Sequence, residues 1–153
     1  MKRLVNTLSF IITSAIAVCL LVSCVIAENN IAEQRNCLAL NIYHESRSEP
    51  VMGQIAVANV TLNRVADSRW PSTVCEVVYQ RKQFSWTHTI KDHTPYETER
   101  WAIAQDIAEG VYKGIDPDNT DGAVYYHADY VNPIWNRNLT RTVKIGVHIF
   151  YKG

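Results

Sequence analysis

Hydrophobic positions recur along this chain in two rhythms, and the change from one to the other orders it. After an almost wholly apolar run from Leu8 to Val22, the pattern becomes amphipathic. Residues 32–47 place Leu38, Ala39 and Ile42 on one stripe and predict a helix. Glu49-Pro50 breaks it, because a residue before proline is pushed out of the helical region and proline suits the first turn of the next helix. Val51, Ile55, Ala58, Leu62 and Val65 recur at three- and four-residue steps and predict a second helix with one face in the core. Thr73 and Glu76 have capping-box spacing and open a short helix that ends near Gln80. Thr94-Pro95-Tyr96-Glu97 repeats that signal with proline at the first helical position, and the stripe Trp101, Ala104, Ile107, Ala108 and Val111 runs on to Gly114. Beyond the turn cluster Asp116–Asn119 the period shortens to two, in Ala123–Ala128 and in Thr140–Tyr151, where Val143, Ile145, Val147 and Ile149 alternate. Four helices followed by a two-stranded element make a small α+β domain, mostly helical with a short antiparallel sheet near the C-terminus.

The apolar start belongs to targeting rather than to this fold. Lys2 and Arg3 precede the run, and Val25-Ile26-Ala27 offers a cleavage site, so residues 1–27 read as an export segment and residues 28–153 as the working domain. Three readings stay open: clean cleavage, lipidation at Cys24 within the lipobox-like Leu21-Val22-Ser23-Cys24, and retention as an anchor. Each places the domain outside the cytoplasmic membrane, with membrane contact only through residues 1–27.

Charge narrows the partners. The chain of 153 residues carries 15 basic and 15 acidic side chains, and residues 28–153 keep 13 basic against 15 acidic, a formal charge of −2. A dedicated nucleic-acid binder would show a basic excess, so none is expected as partner. Only Cys37 and Cys75 remain beyond the export segment, and in an oxidising compartment a disulfide between them is the default, with two buried thiols as the alternative.

Candidate chemistry gathers in Asn41–Pro50, where one helix ends and the next begins. A carboxylate there, beside Tyr43 and screened from water, would have its pKa raised and could act as a general acid, and Glu45 is the candidate. The competing reading makes Glu45 and Arg47 surface charges and Glu49 a partner of the helix dipole. The five histidines include no pair at the spacing of His-Glu-x-x-His, and no Gly-x-Ser-x-Gly is present, so neither a metal site nor a serine nucleophile is expected, nor any cofactor. Trp70, Trp86, Trp135, Tyr125, Tyr126 and Tyr130 fall outside the helical stripes, and aromatic faces with polar neighbours such as Gln83 or Asn132 suit sugar rings.

Ten short blocks in order complete the picture. They run from Cys37-Leu38-Ala39 through Tyr43-x-Glu45-x-Arg47-x-Glu49-Pro50, by Gly53-Gln54, Ala56-Val57-Ala58, Asn63-Arg64, Trp70-Pro71, Val74-Cys75 and Gln83-Phe84-Ser85, to Gly122-Ala123 with Tyr125-Tyr126-His127, Pro133 with Trp135, and Ile145-Gly146-x-His148-x-Phe150-Tyr151. Together they resemble the SleB-type cell-wall hydrolases over residues 36–151. The resemblance implies a lysozyme-like fold, peptidoglycan glycan strands as substrate, and Glu45 as the catalytic acid. It implies cleavage of the MurNAc–GlcNAc β-1,4 bond with a 1,6-anhydro product, by a monomer acting in the cell envelope. An amidase cutting the MurNAc–L-alanine bond and a non-catalytic wall-binding module are the alternatives. Glu49, Gln83, Phe84, Ser85, Tyr125, Tyr126, His127 and Trp135 are expected on the substrate groove, with the Gln83 and Tyr125 segments facing Glu45. Ser46 and Ser48 depart from the family's usual alanine and glycine.

Overall fold

Helix α2 (Val51–Ala66) is buried along nearly its whole length, and the rest of the domain is arranged around it. The computed structural model describes residues 2–153, with side chains from Val22 onward. In chain order the elements are α1 (Lys2–Ser46), α2, α3 (Val74–Val78), α4 (Trp86–Thr89), α5 (Thr98–Tyr112), β1 (Tyr125–Ala128), a 3-10 turn Ile134–Asn138, β2 (Thr140–Ile145) and β3 (His148–Lys152). The chain divides into two units, residues 1–33 and 34–153. In the first, the side chains of residues 22–33 are exposed. Apart from Val22, the apolar run Leu8–Val22 lies outside the described side chains, and among the described residues no helix is long and apolar enough to cross a membrane.

In the second unit, one side of α2 packs into a helical cluster that includes Leu38, Ile42 and Tyr43 of α1 with Ala104, Ile107 and Val111 of α5. Its other side, through Ala56 and Val60, meets Ala123 and Phe150 beneath the sheet. Pro50 stands just ahead of α2 in extended conformation, with its carbonyl accepting from the Gly53 and Gln54 amides. Proline costs nothing there, since a first-turn amide has no helical partner. Buried Asn41 ties three helices: its amide donates to Thr61 Oγ1 at 3.2 Å, and its carbonyl accepts from Trp86 Nε1 at 3.1 Å. Satisfying both halves of a buried amide removes the penalty of an orphaned polar group and fixes how the helices meet.

Two local expectations are corrected, and one short helix, α4, has no signal in the sequence. The segment 140–151 is a hairpin rather than one strand: β3 is central, antiparallel to both β1 and β2, so the sheet has three strands in the order β1-β3-β2. The break falls at Gly146, whose φ of +58° suits glycine and turns the chain. Helix α5 starts at Thr98, without the Thr94–Glu97 capping box, because Glu97 is engaged by Arg47 and Arg100 instead. It ends as expected before Gly114, at φ +72°. The single-turn α4 has too few residues to show a period.

Cys37 of α1 and Cys75 of α3 form a disulfide across a separation of 38 residues. Replacing both by serine is expected to lower the unfolding free energy by about 4 kcal/mol on the chain-entropy account. Urea unfolding with and without reductant checks this; a loss below about 1 kcal/mol would mean that the helical packing alone fixes α3.

Candidate active site

The last turn of α1 distributes its side chains by helical phase. Tyr43 and Arg47, four residues apart, share one face and hold the segment that leads into α5. The Tyr43 hydroxyl accepts from the backbone amides of Tyr96 and Glu97 at 3.2 and 3.1 Å, while Arg47 Nε donates to Glu97 Oε1 at 2.8 Å and its Nη2 to the Tyr96 hydroxyl at 3.1 Å. His44 points a different way, stacked on Trp86 with ring centroids 4.4 Å apart. Glu45, two residues from either clamp residue, is thereby turned to the opposite side, toward the sheet. There its Oε2 accepts from the Tyr126 hydroxyl of β1 at 3.1 Å.

Burial raises the Glu45 carboxyl above its ordinary range; the Tyr126 hydrogen bond and the positive charge of Arg64 offset this in part. Burial also drives the Tyr126 phenol well above its usual value, with the Glu45 charge adding to the effect, so Tyr126 is a permanent donor. Tyr126 packs against His148 and Phe150 of β3, with centroids at 5.1 and 5.6 Å. A carboxyl of raised proton affinity beside a fixed hydroxyl donor, half-buried at the junction of helices and sheet, can deliver a proton and take one back.

The other expected residues separate into distinct places. Glu49 is committed to architecture: its Oε2 accepts from the Val147 amide in the β2–β3 turn at 3.0 Å. A Cβ at position 146 would run into that same carboxylate. Phe84 is a core residue, 2% exposed, so it supports the site from beneath rather than offering a face to a sugar. Gln83 is half-buried in the turn ahead of α4, and exposed Ser85 accepts from the His88 and Thr89 amides. Tyr125 and His127 alternate with Tyr126 along β1 and so face away from Glu45. They join Tyr151 and Trp135 in a separate aromatic cluster, where His127 Nε2 and the Tyr151 hydroxyl are 2.9 Å apart. Of the expected groove residues, Tyr126 is the one hydrogen-bonded to Glu45, while Tyr125, His127 and Trp135 form an aromatic patch on the other face of β1. Ser46 is buried with its hydroxyl donated to the Ile42 carbonyl, and Ser48 is exposed, so neither departure from the family pattern disturbs the turn.

Arg64, which the sequence offers only as part of the Asn63-Arg64 block and without a role, is buried on the last turn of α2, where its charge acts on Glu45. A cation at the end of an apolar stripe reads as a surface residue, and no spacing rule marks it otherwise. Among the described residues, no group of three or more histidine, cysteine, aspartate or glutamate side chains is placed to hold a metal ion.

A helical lobe and a small sheet thus meet at one half-buried glutamate, and comparison with known proteins identifies the family of this domain. Residues 48–151 match the Cell Wall Hydrolase family, and the chain belongs to it. The chain is 38% identical to a spore cortex-lytic enzyme of Bacillus cereus over 117 residues, covering 75% of this chain and 42% of that one. Against the spore cortex-lytic enzyme of Bacillus subtilis it is 32% identical over 114 residues, covering 74% and 35%. It thus spans about two fifths or less of the length of these relatives. Among solved structures, the catalytic domain of the germination-specific lytic transglycosylase SleB from Bacillus anthracis superposes with a TM-score of 0.64 at 33% identity, over 78% of this chain and 93% of that one. The catalytic domain of Bacillus cereus SleB gives the same TM-score at 35% identity, covering 78% and 91%.

A buried acid whose pKa is raised on folding favours the folded state only while it is protonated. That contribution is complete below the ordinary glutamate range and is lost as pH rises through the elevated folded value. Glu45→Gln is therefore expected to be more stable than the wild type at about pH 7 and equal to it at about pH 3. Thermal unfolding at the two pH values checks the sign. Gly146→Ala, by contrast, should cost at least about 1 kcal/mol at both, through its positive φ and its collision with Glu49.

Proposed function

We propose that this domain cleaves the MurNAc–GlcNAc β-1,4 linkage of peptidoglycan glycan strands, with Glu45 acting alone as acid and then as base. The observation that carries this reading is the division of labour between two neighbouring glutamates. Glu45 is half-buried and bonded to Tyr126, whereas Glu49 is occupied by the Val147 amide. A two-carboxylate glycosidase needs its second group free to activate water or to attack the sugar. With one Glu49 oxygen held by the hairpin and no second carboxylate among the groups that shift Glu45, an intramolecular route fits better. Glu45 gives its proton to the leaving GlcNAc oxygen as the muramyl C1–O bond breaks. The resulting carboxylate then takes the proton of the muramyl C6 hydroxyl as that oxygen closes on C1. The product is a 1,6-anhydromuramyl end, and no water is consumed. The relatives' descriptions as spore cortex-lytic enzymes and a lytic transglycosylase support the same chemistry.

Location follows from the same reading. We assign residues 1–27 to export, with Cys24, exposed in the structure, as the acylation point if lipidation follows, and residues 28–153 to a monomeric catalytic domain in the envelope. The Cys37–Cys75 disulfide fits an oxidising compartment. Tyr126 orients the acid, while exposed Ser85 and half-buried Gln83, in the turn ahead of α4, remain the side chains we assign to sugar contacts.

Two measurements test this. Mass spectrometry of digested sacculi should show anhydromuramyl ends; reducing muramic ends would indicate a hydrolytic muramidase, and free stem peptides an amidase. Glu45→Gln should reduce fragment release by about 10² to 10⁴-fold while remaining folded. Glu49→Gln should lose less, since the amide oxygen of glutamine still accepts from Val147.

A further inference from the structure

Arg64 is the cation whose surroundings least resemble those of an ordinary surface residue. It is 5% exposed at the end of α2, and among the described residues no carboxylate forms a salt bridge with it. Its Nε donates to the Val124 carbonyl at 2.8 Å, while Nη1 is buried with no hydrogen-bond partner among the described residues. The guanidinium lies over the Trp70 ring, 4.4 Å from its centroid, and 5.4 Å from that of Phe84. Removing a charge from water without a paired carboxylate is expensive, and a guanidinium cannot escape the cost by shedding its proton. Such a group persists where its field is used. Tyr126, Tyr125 and Glu45 are the groups whose ionised forms would attract it, and Glu45 is the carboxylate among them.

The geometry connects these groups through three elements. Arg64 of α2 holds the backbone of Val124, two residues ahead of Tyr126 and on the same side of that strand; Tyr126 in turn holds the carboxylate of α1. Glu45 is thus faced by Tyr126 from β1 and by the Arg64 charge from α2, with His148 of β3 standing behind Tyr126. His44 of α1 and Arg47 just beyond its end are directed elsewhere, to the His93 carbonyl and to Glu97.

We propose that Arg64 is a positioning residue for the acid: it pins the strand that carries Tyr126 and keeps a positive charge behind Glu45, stabilising the carboxylate left after the proton departs. That carboxylate is the state that must collect the C6 hydroxyl proton, so the inference rests on the role given to Glu45 above. Being buried, Arg64 acts through Glu45 and Tyr126 and does not touch the sugar.

The test uses the full chain and two readouts. In pH profiles of muropeptide release, the midpoint at which Glu45 loses its proton should rise by about one unit in Arg64→Met and stay near the wild-type value in Arg64→Lys, which restores the charge. Turnover in Arg64→Met should fall by about tenfold or more with KM unchanged. The second readout needs no change at Arg64 and so holds even where Arg64→Met does not fold. In the wild type, the guanidinium ¹⁵N resonances of Arg64 should follow the ¹³C titration of the Glu45 carboxyl, and in Glu45→Gln they should be flat over the same range. A folded Arg64→Met with an unmoved midpoint, or flat Arg64 resonances in the wild type, overturns the proposal. Coupled titration without release of glycan fragments would count against the reaction assigned to Glu45 and leave the Arg64–Glu45 pairing standing. Anhydro ends without that coupling would do the reverse.

Discussion

The hydrogen bond from Tyr126 to Glu45 joins residues 81 positions apart, and several independent elements must be in place before it can form. Glu45 has to leave α1 on the side away from Tyr43 and Arg47, which the helical repeat guarantees once those two residues are docked on the segment before α5. Tyr126 has to leave β1 toward the helices, and the pairing of Tyr126 with Phe150 in the sheet sets that direction. A slip of one residue in this register would turn Tyr125 inward and leave the carboxylate without its donor.

Helix α2 brings these requirements together. Its small residues Ala56 and Ala58 are fully buried on its way between the helical cluster and the sheet. Its ends serve the site as well. At the start, Pro50 separates α2 from the turn in which Glu49 reaches the β2–β3 hairpin, and at the finish Arg64 meets the backbone ahead of β1. The hairpin is thus tied to Glu49 in the turn after α1, and the backbone ahead of β1 to Arg64 of α2.

Keeping an acid half-buried works against the stability of the fold. The raised proton affinity of Glu45 means that folding is penalised when the carboxyl ionises, and a buried Arg64 adds a second desolvated charge. Their mutual attraction offsets part of this cost. The rest is carried by features away from the site: the Cys37–Cys75 cross-link, the saturated Asn41 amide, and the apolar cluster of α1, α2 and α5. Separating the stabilising elements from the working ones lets the acid remain poised without loosening the helices that present it.

Much of this was legible in the residues. Helical stripes in 32–47, 51–65 and 101–111, the proline break at position 50, the Thr73 cap and the change to strand alternation after residue 123 follow from local periodicity, which needs no partner to be read, though the start of α5 and the Gly146 turn do not. The spacing Tyr43-x-Glu45-x-Arg47 also already implies that the glutamate faces away from its two neighbours, since helical phase is a property of the chain alone. What lay beyond reach depended on contacts between distant segments. The Glu97 side chain serves Arg47 rather than a capping box, and Glu49 serves a turn 98 residues away. Phe84 falls in the core, Tyr125 and His127 turn behind the sheet, and Arg64 is drawn inside beside the acid. A carboxylate, a ring or a guanidinium has the same pattern in sequence whichever partner it finds. Which one it finds, and how much water it loses in doing so, is set when the sheet closes onto α2.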